Sequence, residues 1–341
     1  MRTAALLTCW FWCGWLWTAA AQAVTVSDLY QVSVMVQDQT ENSRNQGLQQ
    51  ALQQVLVKVS GSRDSVQLLQ QASPSPQQLV ESFSYRRDPV DDALLLQVQF
   101  ASNLIDQLLI DAGQPVWGQT RPLLLVWQAV EEGPLRMLLG QDVSLWRVQA
   151  DRAMHERGLP VLWPTLDLED EIALPVEAVW GSFRDRIIDA SQRYRHDAIL
   201  AGRLAAAGNG QWRYDGQLWH QQQWRPISVV ANDAGAAMQG VADQVARYFA
   251  ARYAVRRQVQ TSGGFSLAVD GVASFADYQM LLRYLKANVA IDEVQVLAAN
   301  GPQLQLELQL AAPWPQVWGV LSLDKRLQQT EQPGVVQWQS R

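Results

Sequence analysis

Apolar and polar residues alternate, or recur at helical spacing, in three successive blocks of this chain. In the first block Tyr30, Val32, Val34 and Val36 alternate with Gln31 and Ser33, the period-two pattern of a strand. Leu48, Ala51, Leu52, Val55, Leu56 and Val59 then recur at helical spacing, which predicts a helix with one apolar face. Asp38 followed by Glu41 reads as a capping box at its start, and Gly61 as a left-handed stop. Ser73-Pro74-Ser75-Pro76 reads as a loop, Leu94–Phe100 as a second strand, and Ser102 as the cap of a short helix reaching Gly113.

The second block opens with Pro122–Gln128, a nearly continuous apolar run suited to a strand covered on both faces. Helix, strand and helix follow at Ser144–Arg157, Leu159–Trp163 and Pro175–Tyr194. Strands are predicted over Asp197–Ala205, Gln211–His220 and Gln223–Ala231, and a helix over Ala234–Tyr253. The third block predicts a strand at Phe265–Asp270 and a helix capped by Ser274. Glu293–Ala298 and Gln303–Leu310 flank Asn300-Gly301 as a hairpin, and Trp314–Leu327 is expected to close the block as a helix.

These blocks predict an α+β protein of three small mixed α/β domains at 24–113, 114–260 and 263–327, with a loose tail at 328–341. The expected orders are strand–helix–strand for the first, β-α-β-α-β-β-β-α for the second and β-α-β-β-α for the third.

Residues 1–23 stand apart. Met1-Arg2 gives a positive start, Ala4–Ala20 is apolar, and Ala21-Gln22-Ala23 supplies a cleavage site, so this segment is expected to be a signal peptide cut near Ala23. Both cysteines, Cys9 and Cys13, leave with it, which excludes disulfides and thiolate chemistry from the expected mature chain of 318 residues. Its formal charge is −7, because Arg2 alone is lost from 27 Lys+Arg against 33 Asp+Glu. That balance argues against nucleic acid as a partner. No later run predicts a stable membrane insertion.

Candidate chemistry is sparse. His155, His196 and His220 are the only histidines, and none has a second ligand at metal-binding spacing. Neither a strained serine elbow nor a phosphate loop is present. The acidic groups Asp167, Glu169, Asp170, Glu171 and Asp88, Asp91, Asp92 lack a calcium-loop ladder and read as solvated loops. No cofactor, metal or catalytic residue is expected. Of the eleven tryptophans left after residue 23, Trp314 and Trp318 are expected to pack. On the strand from Gln211, Trp212, Tyr214 and Leu218 share one face. Arg213, Asp215, Gln217 and Trp219 share the other, which makes the latter four the candidate interaction surface.

Leu29-Tyr30-Gln31-Val32, with the helix ending Val55-Leu56-Val57-Lys58-Val59-Ser60-Gly61, resembles the opening of an exported proteobacterial family, domain of unknown function 2066. Arg121–Trp127 and Asp197–Arg203 are similar to the same family. The middle block's element order is similar to the amino-terminal domain of the Tol-system propeller protein and to curli-secretion and synthase-activator lipoproteins. Those resemblances imply a periplasmic location in a Gram-negative envelope and partners that are envelope proteins. The function expected is a non-enzymatic binding or assembly factor. The alternative is a cryptic hydrolase or glycan-binding enzyme acting on cell-wall material through His196 or His220.

Overall fold

The structure is a computed structural model that describes residues 24–65, 74–88, 92–141, 144–257, 264–332 and 334–339. The expected signal peptide with its two cysteines, and Ser73, Asp91 and Gly263, lie outside the described residues.

The first unit contains β1 (Val24–Thr25), β2 (Gln31–Met35), α1 (Glu41–Ser60), β3 (Val80–Arg87), β4 (Leu94–Phe100) and α2 (Ser102–Asp111). Its three-stranded antiparallel sheet has the order β2-β4-β3. All six residues of the predicted apolar stripe on α1 are buried, where they meet Val32, Val34, Leu96 and Val98 of the sheet. The capping box predicted at Asp38 is not formed. Thr40 caps α1, its hydroxyl accepting from the Ser43 N–H while donating to Asp38. Gly61 ends the helix at φ 75°, as its lack of a Cβ permits, and donates to the Val57 carbonyl. The strand β3 has no alternating burial because it is an exposed edge, so no period-two signal marked it.

The second unit contains β5 (Thr120–Arg121), β6 (Leu124–Glu132), β7 (Leu135–Leu138), α3 (Leu145–Glu156), β8 (Val161–Leu162), α4 (Leu168–Ala173), α5 (Val176–Trp180), α6 (Arg184–Ser191), β9 (Ala198–Gly208), β10 (Gln211–His220), β11 (Gln223–Ala231) and α7 (Ala234–Tyr253). The large sheet runs β11-β10-β9-β6-β7, with β8 beside the start of β6. The strand β6 pairs in parallel with β9 and is buried on both faces, as its apolar run requires. On one face α3 and α7 cover Leu124, Val126, Leu200, Tyr214 and Leu218. On the other, α5 and α6 cover Leu125, Trp127, Ala129 and Ile199.

Two expectations for this unit are corrected. The helix predicted over 175–194 is broken between α5 and α6, where Ser182 takes φ 58° after Gly181. The acidic stretch at 167–171 is not a solvated loop. Asp167 caps α4, and its carboxylate accepts from both Nη atoms of Arg193, while Asp170 is buried with acceptor bonds from Leu166 N–H, Thr165 and Tyr194.

The third unit contains β12 (Phe265–Asp270), α8 (Phe275–Lys286), β13 (Ile291–Asn300), β14 (Gln303–Leu310), α9 (Trp314–Leu321), β15 (Leu327–Gln329) and β16 (Val335–Trp338). The strand order is β13-β14-β12-β16-β15. The stretch expected as a loose tail joins this sheet instead, because Val336 and Trp338 bury on one face while β16 pairs in parallel with β12. The final helix accordingly stops at Leu321, short of the predicted Leu327. Among the described residues, sheets of three, six and five strands with their helices, and a two-stranded ribbon pairing β1 with β5, make this a mixed α+β protein.

The first two units are joined by buried cations. Arg121 has no exposed surface, and its guanidinium lies 3.8 Å over the ring of Trp117. All five of its N–H groups have carbonyl acceptors. Nε donates to Gly118, Nη1 to Arg157 and Gly158, and Nη2 to Lys58 and Trp117, at 2.8 to 3.1 Å. Those acceptors include the last turn of α1 and the chain just past α3, so the negative ends of two helix dipoles converge on one cation. Lys58 donates to the carbonyls of Asp28 and Gln31, and Arg157 to those of Val57 and Gly61.

Candidate binding cleft

The hairpin between β10 and β11 turns through Gln221 and Gln222, both with positive φ, 48° and 60°. This is the handedness of a tight two-residue turn, achieved without the glycine or asparagine that normally marks one. It fixes Trp219 opposite Trp224 and Leu218 opposite Arg225. Because residues alternate faces, Arg225 points to the side of α7 and Trp224 to the side of α6. On α7, Gln244, Tyr248 and Arg252 recur every four residues and form a stripe beside this edge strand.

A cleft of about 610 Å³ opens here, lined by Arg184, Trp224, Arg225, Gln244 and Tyr248 among others. The Tyr248 ring meets two cations, with the guanidinium of Arg225 at 5.0 Å and that of Arg252 at 4.6 Å from its centroid. Arg184 stands 5.8 Å from the ring of Trp224. The Nε atoms of Arg225 and Arg252 are buried and have no hydrogen-bond partner among the described residues. No acidic side chain lines the cleft.

Behind this wall lies His220, only 4% exposed. Its Nδ1 is 3.0 Å from the Tyr248 hydroxyl and its Nε2 is 3.0 Å from that of Tyr253. One ring nitrogen donates to one phenol while the other phenol donates back, so the neutral imidazole satisfies both contacts. Burial pulls the His220 pKa down to about 4, with Arg252 and Arg225 adding to the effect. Burial likewise pushes Tyr253 up to about 12.

The four residues singled out from the sequence lie on the opposite face of β10. Arg213 is exposed, and Asp215 accepts from the Ser228 hydroxyl at 2.8 Å. Gln217 accepts from Arg184 Nε at 2.6 Å, which ties it to the cleft wall. Trp219 is half-buried and packs with Trp224 against the cluster under α5 and α6. Trp212, Tyr214 and Leu218 pack toward α7, with Tyr214 and Leu218 fully buried. Gln217 thus touches one lining residue, Arg184, and Trp219 pairs with another, Trp224, but none of the four is among the described residues that line the cleft.

The remaining histidines are engaged elsewhere. His155 Nε2 is 3.1 Å from Asp28, and His196 Nδ1 is 2.9 Å from the Tyr194 carbonyl. Among the described residues, no group of three or more His, Cys, Asp or Glu is placed to hold a metal ion. Among them, too, no helix is long and apolar enough to cross a membrane.

Residues 23–118 match the family model of a domain of unknown function, DUF8605. That match covers the first unit and its connection to the second, and it carries no activity. No curated protein sequence matches the chain.

Proposed function

We propose that the chain is exported to the periplasm and acts there as a non-enzymatic binding or assembly factor of the bacterial cell envelope, with the cleft beside β11 as its contact site. The observation that carries this reading is the cleft itself. Flat rings and guanidinium groups stand at an open sheet edge. The accessible groups are the exposed Arg184 and the half-buried Trp224 and Arg225, and arginine beside aromatic rings at an open edge suits a surface covered by a partner. Both ring nitrogens of His220 are held by tyrosines, which favours a structural role over that of a base. Export is supported by the positive start, apolar run and A-x-A triplet of residues 1–23, and by the resemblance to domain of unknown function 2066.

The test is co-purification from the periplasm with tagged wild-type chain and with Trp224→Ala. The reading expects one envelope protein, recovered repeatedly with wild type and lost with the variant. Equal recovery with both, or turnover of purified cell-wall material by the isolated chain, would overturn it.

A further inference from the structure

Resting on that binding function, we infer that the cleft recognises an extended acidic peptide segment, held by its carboxylates on Arg184 and Arg225, with Arg252 against the Tyr248 ring adding positive charge beside the lining. Two cations line the cleft and a third, Arg252, lies against the ring of the lining residue Tyr248, on a chain whose expected mature form is net negative; among the described residues no acid lines the cleft. The Nε atoms of Arg225 and Arg252 keep one buried donor each without an acceptor. Arg225 Nη2 reaches only the neutral amide oxygen of Gln223, at 3.1 Å, and Arg184 Nε that of Gln217. A guanidinium fork also takes a carboxylate end-on through its two Nη groups, a geometry that leaves the enclosed Nε atoms of Arg225 and Arg252 and the engaged Nε of Arg184 out of the contact.

The shape of the edge decides between anion sources. The cations stand on three different elements, Arg184 on α6, Arg225 on β11 and Arg252 on α7, so they suit several separated charges of a chain better than one compact anion. The nearby end of α7 is its C-terminal turn, whose dipole opposes a compact dianion such as phosphate. Main-chain strand addition is interrupted here, because Pro226 has no N–H and Gln244 already occupies the Ser228 carbonyl at 3.1 Å. Recognition therefore falls to side chains. Trp224 and Tyr248 provide flat surfaces for the peptide's apolar stems between carboxylates.

The test is fluorescence anisotropy of a dye-labelled octapeptide alternating glutamate and serine, titrated with the chain purified from the periplasm. Inorganic phosphate and phosphatidylglycerol vesicles serve as competitors. The expected result is saturable binding that weakens about tenfold or more in Arg225→Gln/Arg252→Gln and as salt is raised. Arg184→Glu, at an exposed position, should weaken it similarly with an unchanged circular dichroism spectrum. Absence of peptide binding, equal binding by the variants, or displacement by phosphate or vesicles at equal charge would overturn the inference. If the Trp224-dependent partner is still recovered while the peptide fails to bind, the binding function stands and only its acidic ligand is refuted.

Discussion

Replacing Arg121 by leucine tests how the first two units are held together. Leucine keeps the site apolar and removes five charge-assisted hydrogen bonds at once. Each buried acceptor left without a donor costs about 1–3 kcal/mol, which for five carbonyls sets an upper range well above 5 kcal/mol. Removing the buried cation offsets part of this, because burial itself acts against the charged guanidinium and lowers its pKa. Water reaching the junction offsets more. A net loss of about 4 kcal/mol is expected, with part of the stacking on Trp117 also lost. Lysine should recover less than half, since three tetrahedral donors cannot reproduce a five-donor planar fork. The assay is urea unfolding followed by tryptophan fluorescence and by limited proteolysis between the units. In Arg121→Leu the first unit should unfold in a separate, earlier transition. A single transition shifted by less than about 1 kcal/mol would refute the reasoning.

Acid stability should show two opposed contributions. The His220 contribution is complete above its ordinary pKa of 6.5 and is lost as pH falls toward about 4. Asp106, raised to about 6 chiefly by burial, contributes stability below about 4 that is lost as pH rises through about 6. After allowance for solvent screening each is worth about 1–2 kcal/mol, so these two contributions largely offset one another in the wild type. Asp106→Asn should gain stability with rising pH, and His220→Gln should lose it; chemical denaturation at pH 4.5 and 6.5 distinguishes them. Gly202→Ala should destabilise by about 2 kcal/mol or more, measured by thermal unfolding, because its Cβ would fall 2.5 Å from the Tyr214 ring. Gly61→Ala should cost at least as much, since φ is +75° and the new Cβ would lie 2.2 Å from that of Ala250.

Where one physical cause governs a segment, the sequence is sufficient to place it. The helix over Ala234–Tyr253 and the strands Gln211–His220, Gln223–Ala231 and Gln303–Leu310 match the predicted bounds, because each has a regular apolar period and a recognisable stop. Edge position hides β3, which is exposed along most of its length and packs on the core only through Val80 and Tyr85. Tertiary pairing makes β16, a four-residue segment that is too short to be read as a strand until β12 lies beside it. The cleft was less legible. Gln217 and Trp219 stop behind the lining residues Arg184 and Trp224 on the α6 side of the sheet, whereas Arg225 and Tyr248 line the cleft from the other side. What brings the two sides together is a turn at Gln221-Gln222 that no residue type announces. The four-residue recurrence of Gln244, Tyr248 and Arg252 on α7 is the one signal that pointed toward it.

The most direct measurement is photo-crosslinking in living cells from single positions on either side of β10 and β11. A crosslinker at the exposed Gln223, in the cleft lining, should capture one envelope protein, and Arg184→Glu introduced into the same chain should abolish the adduct. A crosslinker at Arg213, exposed on the same sheet but outside the cleft lining, should capture it weakly or not at all. An adduct from Arg213 that survives Arg184→Glu, with none from Gln223, would contradict the assignment of this cleft as the contact site.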